Sequence, residues 1–246
     1  MLHHSSRVLI RIWINLFNLC HLFITHVGAE VPAAFAEEQA GLFILLRTSP
    51  SMLATDLPPT RLERARIKIA ELLKERAAAP TGLIAYSGSA HLVLPLTRDD
   101  RLLQTMAASL HPDIMPTEGD DLAGAIRLAE AQFKKSGISG SILVLTDNSI
   151  LSGQFKQILP VQILALNPPE SPLPTTLQVS AKTLRSRITP LTHDNRDIRQ
   201  VTARARTDFS SASGENGNSR RHDSGLALLP LIALCQLIRL RKGGHI

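Results

Sequence analysis

The stretch Leu45-Leu46-Arg47-Thr48-Ser49-Pro50-Ser51-Met52 decides the reading of this chain when it is set beside Leu145-Thr146-Asp147-Asn148. The first follows the apolar run Gly41 to Leu46 and enters a polar turn with serines at alternate positions. The second follows the apolar run Ser141 to Leu145 and ends on a carboxylate. Short, continuous apolar runs of this kind suit strands buried on both faces. Two such strands ending in hydroxyls and a carboxylate bring oxygen donors to the carboxyl-terminal edge of a parallel sheet, where open α/β folds place their sites. Oxygen donors suit a hard dication. Arg47 is the residue that does not fit that chemistry.

Outward from these stretches the pattern alternates. Arg61 to Arg76 reads as a helix, because Leu62, Ala65, Ile69 and Leu72-Leu73 recur at spacings of three and four. Thr81 to Tyr86 and Ala90 to Leu96 read as strands joined by Ser87-Gly88-Ser89, a short turn between antiparallel neighbours. Asp99 to Leu110 and Asp120 to Lys135 read as helices opened by acids, and Leu122, Ala125, Ile126, Ala129 and Phe133 share one face of the second. Val161 to Leu166 is a further strand and Asp194 to Ala205 a last helix. Strands alternating with helices imply an α/β, doubly wound, mostly parallel sheet with helices on both faces.

A chain of 246 residues with 44% hydrophobic content accommodates one medium domain with a filled core and appended segments. Aromatic residues make up 4%, too few for the stacking platforms of single-strand nucleic-acid binders. The net charge of +6 does not read as one coherent patch, because the middle of the chain mixes signs. Arg7 and Arg11 flank an apolar stretch from Ile12 to Val27; residues 1–29 read as a signal peptide or signal anchor. Leu226 to Ile238 is apolar apart from Gln236 and is followed by Arg239, Arg241 and Lys242. Residues 225–242 accordingly read as a membrane-spanning segment, tethered through a Ser-, Gly- and Asn-rich linker at 211–224 to a domain at 38–210. Cys20 and Cys235 lie in the terminal apolar segments, which leaves the domain without a cysteine metal site or disulfide.

The order of motifs narrows the family. Arg47-Thr48-Ser49-Pro50-Ser51 is followed by Arg61-Leu62-Glu63-Arg64-Ala65, by Gly82-Leu83-Ile84-Ala85-Tyr86-Ser87-Gly88-Ser89 and by Leu92-Val93-Leu94-Pro95-Leu96-Thr97. This series resembles the von Willebrand factor A (vWA) domain proteins of the membrane-anchored Bat, or aerotolerance-operon, type, over roughly residues 41 to 166. The resemblance implies a metal-ion-dependent adhesion site with the pattern Asp-x-Ser-x-Ser. Its positions fall on Arg47, Ser49 and Ser51, with Asp120 where the family has Thr and Asp147 at the late Asp. Ser49, Ser51 and Asp147 keep the pattern; Arg47 reverses a charge and Asp120 adds one.

A guanidinium has donors only and keeps its charge. Arg47 at the site would repel a dication and pair with Asp147 and Asp120, so the expected site is degenerate and no cofactor is expected. In the alternative, Arg47 points away and Ser49, Ser51, Asp120 and Asp147 hold Mg²⁺. Asp120 and Asp121 also suit a helix N-terminal cap. Ser49 and Ser51 lack a Gly-x-Ser-x-Gly setting and a nearby His, and no nucleotide-binding glycine loop is present. The expected function is protein–protein interaction without catalysis, with Arg47 offered to a partner carboxylate. The competing class is a hydrolase using Ser49, Ser51 and Asp147. The resemblance implies as partners other vWA membrane proteins, tetratricopeptide (TPR) proteins and a MoxR-type AAA ATPase, in envelope stress or complex assembly. The scarce aromatics and mixed charge argue against nucleic acid, and the two terminal segments with their basic flanks put the domain on a bacterial inner membrane, facing the periplasm.

Overall fold

Strand β1 (Gly41–Arg47) is buried along almost its whole length, and everything else is arranged about it. A computed structural model describes residues 40–151 and 155–216. After β1 come a 3-10 turn (Pro50–Leu53), α1 (Arg61–Arg76), β2 (Thr81–Tyr86), β3 (Ala90–Thr97) and α2 (Asp100–Ser109). A second 3-10 turn (Pro112–Ile114), α3 (Leu122–Ser136), β4 (Gly140–Thr146) and β5 (Val161–Ala165) follow. The chain closes with α4 (Thr175–Thr183), β6 (Ile188–Pro190) and α5 (Arg196–Asn216).

The strands form one six-stranded sheet in the order β3-β2-β1-β4-β5-β6. β1 pairs in parallel with both β2 and β4, β4 with β5, and β5 with β6; β3 alone runs antiparallel, against β2. The chain leaves β1 toward β2 on one side and reaches β4 on the other only later. The carboxyl ends of β1 and β4 therefore flank the point where the order reverses.

Alternate residues of each strand feed two cores. Leu42, Ile44 and Leu46 join Leu83, Leu143, Leu145 and Leu164 beneath α1, α2 and α5. Phe43, Leu45 and Tyr86 join Ile142, Val144 and Ile163 beneath α3 and α4. Each fully buried large aliphatic side chain contributes roughly 2 kcal/mol. A Cβ at Gly82 would stand 2.2 Å from the Phe43 ring, so only glycine there lets that ring lie against the sheet, where it meets Phe133 edge-on at 5.0 Å.

Local signals explain the helix ends. The Thr60 side chain accepts from the Glu63 amide at 3.1 Å, Asp99 from Leu102 at 2.9 Å, and Asp121 from Gly124 at 2.9 Å. Gly137 ends α3 with a φ of +68°, which costs glycine nothing. Asp121 is thus the cap, and Asp120, for which the same role was open, is free for other use.

Two elements are absent from the sequence reading, α4 and β6. A third differs: α5 extends to Asn216, so the first residues of the stretch read as a linker at 211–224 are helical. The remainder of that stretch, the segment at 1–29 and the segment at 225–242 lie outside the described residues. Among the described residues no helix is long and apolar enough to cross a membrane.

α5 is clipped to α1 by a buried ion pair. Lys68 Nζ lies 3.0 Å from Asp197 Oδ1 and 3.0 Å from Glu71 Oε2, and donates to the Asp194 carbonyl at 3.0 Å. The Lys68 and Asp197 side chains are 2% and 0% exposed. Removing one partner strands the other charge out of water. Lys68→Ala should cost about 3–5 kcal/mol in urea unfolding. Lys68→Met with Asp197→Leu should recover part of that loss, because it removes both fully buried charges and leaves only Glu71, which is partly exposed.

Candidate functional site

The carboxyl ends of β1 and β4 carry Arg47 and Asp147 to the same edge. The 3-10 turn after β1 lifts Ser49 and Ser51 beside them, and the loop before α3 brings Asp120 from the other side. The structure places all five residues expected at the site together. Arg47 stands in their midst. Its Nε donates to Ser49 Oγ at 2.9 Å and lies 3.6 Å from Asp147 Oδ1. Its Nη1 lies 3.5 Å from Asp120 Oδ2 and donates to the Asn148 carbonyl. The hydroxyls of Ser49 and Ser51 are hydrogen-bonded at 2.9 Å.

Sequence reasoning missed a second guanidinium. Arg61, at the first position of α1, donates from Nη1 to Asp147 Oδ2 at 2.9 Å and from Nε to Asp56 Oδ1 at 2.8 Å. Asp147, only 3% exposed, is thus held between two arginines, one on each oxygen. Its signal was in the chain: Arg61 belongs to the motif series, but as a helix-start residue it reads as solvated. Asp120 is also held by the backbone of the β4 edge. Its Oδ2 accepts from the Ile150 amide at 2.5 Å and its Oδ1 from Ser149 Oγ at 3.3 Å.

The electrostatics follow from burial. Burial pushes the Asp120 carboxyl above its ordinary value, against the opposing pull of Arg47 and of the Ile150 and Ser149 hydrogen bonds. Asp56 is held below its ordinary value chiefly by its hydrogen bond with Arg61. Tyr86 lies buried beneath the site, and burial, with Asp120 nearby, drives its phenol far up. An opposite-charge contact near 4 Å is worth about 4 kcal/mol at an intermediate dielectric, before desolvation.

This donor set does not fit a dication. The guanidinium occupies the ground between Ser49, Asp120 and Asp147, and it can neither ligate nor lose its charge. Among the described residues no cluster of three acidic, His or Cys side chains is placed to hold a metal. Arg47 itself is largely buried and paired within the chain. Two guanidiniums face three carboxylates, Asp56, Asp120 and Asp147, so the site carries a net negative charge and its arginines are engaged.

Residues 42–150 match the family described as the von Willebrand factor type A domain. Over that segment the chain is similar to the vWA family, and the sheet order and helix layers described above are those of its fold. Solved structures share the fold. BatB from Bacteroides thetaiotaomicron is 22% identical with a TM-score of 0.57, covering 70% of this chain and 99% of that one. An aerotolerance-related membrane protein from Bacteroides fragilis, bearing multiple mutations to serine, is 24% identical with a TM-score of 0.55 over the same shares, 70% and 99%. The PilB minor pilin of Streptococcus sanguinis is 8% identical with a TM-score of 0.53, covering 70% of this chain and 62% of that one. No curated protein matches the chain.

Arg47→Ala should lower stability by about 3 kcal/mol, toward the lower end for a buried pair because Arg61 still serves Asp147. Arg47→Asp, which restores Asp-x-Ser-x-Ser, should melt lower still without metal and regain part of the loss in saturating Mg²⁺ by mass action. Melts of wild type and both variants, with and without Mg²⁺, check this; wild type should ignore the ion. Carboxyl NMR gives a separate readout. Asp120 should titrate above the ordinary aspartate range, and higher again in Arg47→Ala. The sign for stability follows: a folded carboxyl with a raised pKa takes up a proton before the unfolded one. Its contribution therefore improves as pH falls toward the unfolded value and worsens as pH rises through the folded one.

Proposed function

We propose that this chain is a membrane-anchored protein–protein interaction module whose carboxyl-edge site works without a metal. The observation that carries this reading is the Arg47 guanidinium lying within 3.6 Å of both Asp120 and Asp147. An internal cation offsets the charge of Asp120 and Asp147, so docking does not wait for an ion. The partner surface is then the rim around the site. Leu53 and Ile150 are apolar and 37% and 59% exposed, and Asp56, Asp113, Glu118 and Glu170 stand exposed about them. That rim suits a protein presenting basic side chains around an apolar contact, with complementarity setting specificity and on-rate.

The resemblance to Bat-type proteins supports the wider setting. In this reading the anchor is the segment at 225–242, the domain faces the periplasm of a bacterial inner membrane, and the assembly includes other vWA membrane proteins, TPR proteins and a MoxR-type ATPase. A hydrolase at Ser49, Ser51 and Asp147 is the weaker reading. It needs a base on a serine hydroxyl, and these hydroxyls bond to each other and to a guanidinium that cannot accept a proton.

A photo-crosslinker in place of Ile150 in the full chain, in its native membranes, tests the proposal. Mass spectrometry should identify protein adducts whose yield is unchanged by chelator and reduced severalfold by Asp113→Lys with Glu118→Lys. Adducts that require Mg²⁺ would overturn the metal-independent reading. Adducts indifferent to the charge reversal would remove the acidic rim from the interface.

A further inference from the structure

The lower edge of the sheet, opposite the Arg47 site, gathers six exposed cations from separate elements. In a parallel sheet the helices run back against the strands, so helix carboxyl ends and strand amino ends share this edge. Lys74 lies in the last turn of α1, and Lys134 and Lys135 lie in the last turn of α3. Arg98 follows β3, the antiparallel strand, and reaches the Ala78 carbonyl at 3.4 Å. Arg185 and Arg187 lie between α4 and β6, where the Arg187 carbonyl accepts from Ile163 at 3.3 Å. All six are exposed; the acids among them are exposed Glu75 and Asp99 and partly buried Asp100 and Glu130, the last accepting from the Leu159 amide at 3.3 Å. Cations in a last helical turn answer the helix dipole. That accounts for Lys74, Lys134 and Lys135, but not for Arg98, Arg185 and Arg187, which stand in connections.

The two ends of the described chain leave from this same edge. Ala40 precedes the amino end of β1, where the Gly41 amide bonds the Ser139 carbonyl at 2.9 Å. α5 starts beside the upper loop after β6 and runs down antiparallel to the strands. Beyond these ends lie 39 residues on one side and 30 on the other, containing the apolar stretches Ile12 to Val27 and Leu226 to Ile238. The upper edge is more acidic: Asp56, Asp113, Glu118, Glu170 and Asp194 are exposed there, against exposed Arg196 and Arg199 at the start of α5.

We propose that the lower edge is a docking face for an anionic lipid surface, held there by phosphate headgroups. The charge sign, its gathering on one edge and the exit of both apolar-bearing ends from that edge all commit the occupant. Juxtamembrane cations gain attraction to anionic headgroups within about one Debye length, roughly 8 Å at physiological salt. The domain then stands upright with the Arg47 edge turned away from the bilayer. The inference rests on the proposed anchoring for bringing lipid near, but it makes a separate claim about which face meets it.

The test uses the full chain with Cys20 and Cys235 replaced by Ser, reconstituted into vesicles of phosphatidylcholine alone or mixed with phosphatidylglycerol. An environment-sensitive dye is attached at Ser139→Cys on the lower edge or at Ile150→Cys on the upper. Flotation reports anchoring and the dye reports docking. The chain should float with both vesicles, with a blue shift at 139 only when phosphatidylglycerol is present, abolished by high salt and absent at 150. The ratio of docked to undocked dye should fall about fivefold for each cation removed, read in Lys134→Gln, Lys135→Gln and Arg187→Gln. Flotation with both vesicles but no lipid-dependent shift at 139 would overturn the docking face and leave the anchor standing. Flotation with phosphatidylglycerol vesicles alone, with the shift, would support the face and remove the anchor. A shift set by protein density and not by lipid charge would assign the edge to a second copy and overturn the proposal.

Discussion

A guanidinium held between the carboxyl ends of two neighbouring parallel strands sets the terms for this domain. Edges of this kind concentrate polar side chains, because the strands below are apolar on both faces and the loops above must carry the unpaired groups. Here Asp120 and Asp147 are largely removed from water. Two buried carboxylates facing each other would raise one another's energy steeply. Arg47 removes that cost from within the chain, and Arg61 completes the arrangement by tying the start of α1 to Asp147 and Asp56. The β1 loop, the α3 loop and the β4 edge are therefore joined through charges on side chains and not through an exchangeable ion.

This exchange alters what the edge can offer. A bound dication leaves a coordination position for an incoming oxygen. An arginine already hydrogen-bonded to Ser49 and Asn148 and ion-paired with two aspartates offers little to a partner acid. What remains outside is an acidic rim with Leu53 and Ile150 exposed. The opposite edge carries six exposed cations and the chain ends. The domain is thus electrically polarised along its strands, a property suited to standing between a surface below and a protein above.

The buried pair of Lys68 and Asp197 shows a second use of charge. It fixes α5 on α1 at the top of the last helix, the element that leads out of the described chain. A buried pair is costly to break and less costly to replace by apolar residues. It is better understood as setting where α5 sits than as adding stability.

Much of this was legible in the residues. Uninterrupted apolar runs such as Gly41 to Leu46 have no solvent-facing period, which forces a sheet covered on both sides and so a doubly wound α/β domain. Thr60, Asp99 and Gly137 announce helix ends through local chemistry. The Ser-x-Ser turn and Asp147 point to one edge because strand direction alone puts them there. Other features depend on contacts distant in sequence. β6 spans only Ile188–Pro190 and takes its strand conformation from pairing with β5, so its own pattern is too short to declare it. Arg61 looks like an ordinary helix-start cation until α1 is laid beside the end of β4. The positive charge reads as dispersed along the chain, yet helix ends and connections bring six exposed cations to one edge. The residues themselves determined the fold class and that an arginine stood at the site. Which carboxylates that arginine meets, that a second one joins it, and which edge gathers the cations were decided only by the tertiary structure, because each depends on strands and helices brought together from far apart in sequence, as with Arg47 and Asn148, which are 101 apart.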